Sequence, residues 1–472
     1  MTAEAAVLAA AGRDNRTGQR EGGEQERAAS HLRRKIAAGV QMNDNVYSSF
    51  MDFRLSDDQL AFRRHCHAFA RDVMRPAAPR CDREQAVPLD VIHEARAWGL
   101  HGIPYLERVG ADETGIMNAI YAEELHWGCA GIALAISGSS LAAAGIAATG
   151  TPEQVGRWVQ ACFGIGDDIR FGAYAVTEAS AGSDVRSLRT TARRDGDGWV
   201  LNGAKVFISN GGIADVNVIV ATVDPALGHR GQASFIVEKG TPGFGMGKKE
   251  DKLGIRASQT AELVLEEVHV PMENLLGGLD RLERKLERAR SGERSRSSGA
   301  LATFEVTRPM VGASALGIAR AAYEWTIDRL EGEADEHGPL LDQQRVQQVL
   351  ADVATEIDAA RLLVWRATWM GRNGVPMTGG QGSMSKLKAG DVAMWATTAL
   401  MDLVGPEAGL TDHPLEKWFR DAKIYQLFEG TAQVQRLVIS RMQVAERRQA
   451  VAVEAEELAG AGAGAGPAKR AA

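Results

Sequence analysis

Asp195-Gly196-Asp197-Gly198-Trp199-Val200-Leu201-Asn202-Gly203-Ala204-Lys205-Val206-Phe207-Ile208 is the stretch on which the fold turns. Its Asp-Gly and Asn-Gly pairs are hairpin-turn chemistry, because glycine accepts the positive φ of tight turns and asparagine and aspartate tolerate it. These pairs flank two β-rich runs, Trp199-Val200-Leu201 and Lys205-Val206-Phe207-Ile208. Further β-rich runs at 216–223, 234–238 and 262–270 lie between Gly/Pro breaks. The expectation is a middle antiparallel β-domain over residues 169–275.

On either side of this unit the pattern is helical, which makes the fold class α+β. Leu55-Ser56-Asp57-Asp58-Gln59-Leu60 carries Ser and Gln at capping-box spacing, with Leu55 and Leu60 placed as a hydrophobic staple. An N-terminal helical domain, 51–168, starts there, with breaks expected at Pro76, Pro79 and Pro88. Residues 276–301 read as a charged insertion, with Leu279, Leu282 and Leu286 at helical spacing among five arginines and lysines. Such a segment is expected to be solvated and mobile. A C-terminal helical bundle follows over 302–450. The polar stretch 1–50 and the Ala/Gly-rich stretch 451–472 read as disordered tails.

Composition narrows the function classes. A formal net charge of -7 is no electrostatic footprint for nucleic acid. Cys66, Cys81, Cys129 and Cys162 are scattered, with no CxxC pair, which suits a reducing compartment and argues against a disulfide framework. His65-Cys66-His67 sends its two histidines to different sides of a helix, so no metal site is expected. No apolar run is read as a membrane span, and no basic n-region precedes an apolar h-region, so the expectation is a cytoplasmic enzyme.

Thr177-Glu178-Ala179-Ser180-Ala181-Gly182-Ser183-Asp184-Val185 is a small-residue loop before the β-domain, the kind of backbone that can approach phosphates or a flat heterocycle. The 173–185 stretch resembles the first signature of the acyl-CoA dehydrogenase family, and 202–210 resembles its second flavin-contacting segment. Lys252-Leu253-Gly254-Ile255-Arg256-Ala257-Ser258 and 267–271 are similar to the end of the family's β-domain. Phe304-Glu305-Val306-Thr307-Arg308-Pro309 resembles the helix lining its acyl channel, and residues 420–433, which contain Phe428-Glu429-Gly430-Thr431, resemble its C-terminal signature. The likeness covers residues 55–445 in order.

The resemblance implies an FAD enzyme that oxidises an acyl-CoA thioester to the trans-2-enoyl thioester. Glu429 takes the position of the base, with its own N–H and a flavin hydroxyl polarising the thioester carbonyl. Tyr174, Val176, Thr177, Ser183, Phe207 and Ser209 are implied to line the flavin. Thr431 and Gln433 are implied to meet its adenosine half, and Gln344 to reach it from a neighbouring subunit. Ser183, Glu305, Arg308 and Gly430 are implied on the substrate side. A homotetramer reoxidised by electron transfer flavoprotein is expected.

Four departures from the family pattern bear on cofactor grip. Phe207 replaces a tryptophan, and Glu333-Ala334-Asp335-Glu336-His337 replaces an Arg-x-x-Phe-Gly segment that meets the partner's pyrophosphate. Asp402-Leu403-Val404-Gly405-Pro406 replaces a Gln-x-x-Gly-Gly loop, and Leu106-Glu107-Arg108-Val109-Gly110 replaces a Gly-rich loop. Two alternatives follow: a biosynthetic dehydrogenase of acyl groups on an acyl or peptidyl carrier protein, and an FAD-poor scaffold; the basic insertion could dock an acidic carrier or steer CoA phosphates.

Overall fold

The computed structural model describes residues 54–293 and 299–463, with side chains undescribed at 299–306 and 454–463. The expected tail 1–50, most of the Ser/Gly/Arg stretch before 299, and 464–472 lie outside the described residues. Ser56 caps the first helix, α1 (Asp57–Phe69), through the capping box with Gln59. α1 passes through a π turn (Ala70–Met74) into α2 (Arg75–Glu84), so Pro76 and Pro79 lie inside helix rather than ending it. Pro76 sits in the first turn of α2, after a wider i→i−5 turn in which the Arg75 N–H reaches the Ala70 carbonyl, where a missing N–H costs least. α3 (Leu89–Ala97), α4 (Ile103–Ala111), α5 (Ile116–Gly128), α6 (Ala130–Ser137), α7 (Ser139–Thr149) and α8 (Pro152–Ala161) complete this layer. The stretch Ala130–Thr149 has the length and mean hydropathy (20 residues, 1.7) of a span, which the sequence reading missed. It is 67% buried in the protein, as a core helix pair is.

The middle layer is one seven-stranded sheet: β1 (Gly172–Ala175), β2 (Thr191–Asp195), β3 (Gly198–Ser209), β4 (Val216–Thr222), β5 (Gln232–Glu238), β6 (Phe244–Lys249) and β7 (Thr260–Pro271). The order runs β1-β4-β2-β3-β7-β6, with β5 on β4. Most ladders are antiparallel, but β1 runs parallel to β4, and Thr191 pairs with Thr222 in the same sense, so the sheet is mixed. The Asp195–Gly198 turn joins β2 to β3 as expected. Asn202-Gly203 does not turn the chain. β3 continues through it, and the register slips there against β7. Gly203 at φ 148 sits where a Cβ would lie 2.5 Å from Thr190 Oγ1, while Asn202 pairs with Glu267 across the two strands. The pair makes a bulge because a long partner strand already supplies its hydrogen bonds.

The insertion is ordered over α9 (Leu279–Arg290) and docks on the sheet. Leu282 and Ala289 are buried, Arg290 pairs with Asp224 at 2.9 Å, and Lys285 donates to the Gln232 carbonyl. The Leu279/Leu282/Leu286 stripe supplies the buried face, so the expectation of a free segment does not hold for these residues.

The C-terminal layer comprises α10 (Gly299–Leu330), a two-residue hairpin β8–β9 (Ala334–Asp335, Gly338–Pro339), α11 (Gln344–Arg372), α12 (Gln381–Val404), α13 (Pro414–Lys423) and α14 (Ala432–Ala463). α14 runs past residue 451, against the expected tail, because Ala and Glu favour helix strongly enough to carry the isolated glycines. Gly254 is a point of close packing between layers: a Cβ there would lie 2.4 Å from the Arg420 carbonyl oxygen. The Asp421 carboxylate accepts from the Ile255 N–H at 2.6 Å, and Arg420 pairs with Asp82 at 2.8 Å. The C-terminal signature is thereby clamped to both other layers.

Candidate active site

A short 3₁₀ turn (Ile424–Gln426) follows α13, and the chain then enters Glu429-Gly430 with both residues at positive φ, +54 and +90. Positive φ at glutamate is sterically costly and marks a position held by its surroundings. Gln435, fully buried on α14, donates to both the Glu429 and Gly430 carbonyls at 3.1 Å. Lys386, 1% exposed on α12, donates to the Gly430 carbonyl at 2.8 Å. The turn is thus pinned from two helices. Among the described residues the Glu429 N–H meets no acceptor.

Glu429 is half-buried. Thr307 on α10 donates to its Oε2 at 3.2 Å. Burial pushes the carboxyl above its ordinary range, and the Thr307 hydrogen bond and the positive charges of Arg308 and Lys386 restrain that rise. A carboxylate raised by desolvation is a better base toward a weakly acidic carbon. Arg308 is buried and donates to Ser383 at 3.0 Å, which ties α10 to α12 beside the carboxyl. The Glu305 side chain lies outside the described residues.

The β-domain contributes a second group of positions. Phe207 sits at φ +59 in the register slip between Lys205 and Ile208, and the residue is 65% exposed. Ser209, two residues on, is also exposed, as is Ser183 on the small-residue loop. An exposed aromatic forced into positive φ beside hydroxyls is a platform for a flat heterocycle, so these residues fit a flavin. Thr177 is half-buried and accepts from the Val206 N–H at 2.9 Å, which joins the loop to β3. Val176 is buried, and the Tyr174 ring packs in the core against Gly145, where a Cβ would lie 2.6 Å from the ring. Thr431 caps α14 through Val434, whereas Gln433 and Gln344 are exposed. Among the described residues neither of these last two is hydrogen-bonded to Glu429.

Two positions escaped the sequence reading. Lys205 is wholly buried and paired with Glu178 at 2.7 Å, and it also donates to the Val176 carbonyl. Burial brings the lysine down to about 8, with Glu178 opposing, while Glu178 also accepts from the Arg189 and Thr190 N–H groups. The pair fixes the loop to β3. The second is Lys386. Its signal was present: Gly382, Ser383, Lys386, Ala389 and Gly390 share one buried face of α12, and a lysine among small residues at that spacing must reach a polar partner.

Three family profiles match the chain: Acyl-CoA dehydrogenase, N-terminal domain, over 56–163; middle domain over 173–268; and C-terminal domain over 298–444. The chain belongs to the acyl-CoA dehydrogenase family. It is 36% identical over 393 residues to the short-chain specific acyl-CoA dehydrogenase of Clostridium acetobutylicum, covering 83% of this chain and 99% of that one. It is similar to the structure of butyryl-CoA dehydrogenase from Megasphaera elsdenii, at TM-score 0.74 and 34% identity, covering 84% and 100%. It is also similar to the prolyl acyl carrier protein oxidase AnaB, at TM-score 0.71 and 27% identity, covering 82% and 99%. As an acyl-CoA dehydrogenase, the chain is a flavin-dependent oxidoreductase of acyl thioesters.

Proposed function

We propose that this acyl-CoA dehydrogenase removes the α-proton of a short-chain acyl-CoA with Glu429, yielding the trans-2-enoyl-CoA. The Glu429-Gly430 turn carries the reading: a half-buried carboxylate at φ +54, raised by burial and flanked by Thr307, Arg308 and Lys386. The Glu429 N–H, without an acceptor among the described residues, is placed to polarise the thioester carbonyl and lower the cost of α-deprotonation. Bound FAD supplies the oxidising half, as acceptor of the β-hydride. Phe207, Ser209, Ser183 and Thr177 would hold its ring end, and Thr431, Gln433 and a neighbouring subunit's Gln344 position its adenosine end. A homotetramer, electron transfer flavoprotein as reoxidant and a cytoplasmic setting belong to the same reading; four free, buried cysteines suit that setting.

The similarity to a carrier-protein oxidase and the basic helix α9 favour a second reading, in which the acyl group arrives on an acyl carrier protein. One experiment separates the readings. The purified protein is scanned for flavin absorbance and mixed anaerobically with butyryl-CoA or with butyryl-carrier protein. Bleaching by the CoA ester supports the first reading; bleaching by the carrier ester alone supports the second. A protein that neither retains nor regains FAD would contradict both and leave a scaffold.

A further inference from the structure

Left-handed backbone is sterically unfavourable for an ordinary residue, so the Glu429 conformation needs continuous support. Lys386 and Gln435 give it, and the two are not equivalent. Gln435 is neutral and its amide spans both carbonyls. Lys386 brings a formal charge into a nearly closed site, 1% exposed. Among the described residues it makes no ion pair, and its hydrogen bond goes to the Gly430 carbonyl. A buried ammonium satisfied only by a carbonyl is an expensive choice if holding a turn were its whole task.

The packing admits this side chain deliberately. A Cβ on Gly390 would lie 2.7 Å from the Tyr425 carbonyl oxygen, and one on Gly312 would lie 3.1 Å from the Ser385 carbonyl oxygen. α12 is thus drawn against both α10 and the segment leading into Glu429, and Lys386 threads between them. The charged groups that act on Glu429 are Arg308 from α10 and Lys386 from α12. Asp391, the other acid that Lys386 senses, is engaged by Arg436 at 2.6 Å and by Gln426 at 2.8 Å.

We propose that Lys386 is a positioning residue for the base: its ammonium fixes the Gly430 carbonyl, and its charge keeps the Glu429 carboxylate in the form that accepts a proton. This rests on Glu429 being the base. Burial lowers Lys386 to about 8, with Glu429 the largest opposing influence, so the ammonium is present through the neutral range. The charge opposes the burial that raises Glu429, and so favours the carboxylate, the form that accepts a proton.

The test is the pH profile of kcat/KM for the flavin-loaded enzyme with an acyl-CoA, for wild type and for Lys386→Gln, Lys386→Met and Lys386→Arg. Flavin content and melting temperature identify folded protein for each. Lys386→Gln keeps a donor but no charge, and its acid limb should move up by about one pH unit, in the lower part of the range for an adjacent opposite charge. Lys386→Met should show the same displacement with a further loss of kcat, because it also drops the bond to Gly430. Lys386→Arg should leave the limb near its wild-type place. Profiles of Lys386→Gln and Lys386→Met that superimpose on wild type would overturn the proposal. Glu429→Gln run alongside keeps the two claims apart. If it is inactive while the Lys386 limb stays put, only the lysine's role fails. If it turns over normally, the base assignment fails instead.

Discussion

At the scale of single residues, the site depends on backbone that most side chains refuse. Gly430 is the sharpest case: at φ +90, with a Cβ that would lie 2.5 Å from Gln435 Nε2, no other residue fits without displacing the amide that holds the turn. Gly430→Ala should keep the fold, lower stability by about 1–2 kcal/mol and cut kcat at least tenfold, read by thermal melting and steady-state rates. Unchanged kcat in that variant would mean the turn geometry does not matter to turnover. Glu429 was legible in the sequence as the candidate base because its neighbours are diagnostic in order. Lys386 was not, since a lysine in a helix reads as solvated until the partner helices are known to close over it. Phe207 was legible as a position, but its positive φ was not, because it arises from a slip in pairing with β7.

At the scale of elements, an ion cluster welds α1, α5 and α10. Glu124, 2% exposed, accepts from Arg320 and from Arg63 at 3.1 Å, and meets His67 at 2.9 Å. Burial alone would raise this carboxyl, but the His67 and Arg320 hydrogen bonds and the Arg320 charge bring it from 4.5 to about 2. A depressed carboxylate contributes stability that is complete above its unfolded pKa and is lost as pH falls toward the folded value. Melting temperature should therefore fall between about pH 4.5 and 2. Glu124→Gln should flatten that dependence and cost up to about 3–5 kcal/mol at pH 7, because the buried Arg320 loses one of its three carboxylate partners. An unchanged melting curve would show that Glu123 and Glu324 suffice for Arg320. The element-level errors of the sequence reading share one cause. Each is settled outside the local sequence: Asn202-Gly203 is overruled by the long partner strand β7, Pro76 and Pro79 are carried in helix behind a π turn, and α9 is a charged helix whose few leucines find a surface only in three dimensions.

At the scale of the whole molecule, the helical–sheet–helical order was legible from composition shifts, and the meeting of the three layers at Gly254 was not, because it rests on contacts across most of the chain. Cofactor grip belongs to this scale too, since the proposed site is completed between subunits. Glu333 or Ala334, at the start of the β8–β9 hairpin, stands where the family pattern has arginine; Glu333 is paired with Arg329 at 2.7 Å, and Arg345 is engaged by Asp335 at 3.1 Å. FAD should therefore be lost on extended dialysis, and Glu333→Arg or Ala334→Arg should retain it, tightening by up to about 1.5–3 kcal/mol. Wild-type protein that keeps stoichiometric FAD would show that Arg345 or another group already supplies the charge. The central claim is that Glu429 takes the proton, and the direct measurement is the rate of flavin bleaching when anaerobic, FAD-loaded Glu429→Gln is mixed with butyryl-CoA. The amide keeps shape and cofactor but has no basic lone pair, so the rate should fall by on the order of 10²–10⁴ against wild type with FAD still bound. Bleaching at the wild-type rate would contradict the account.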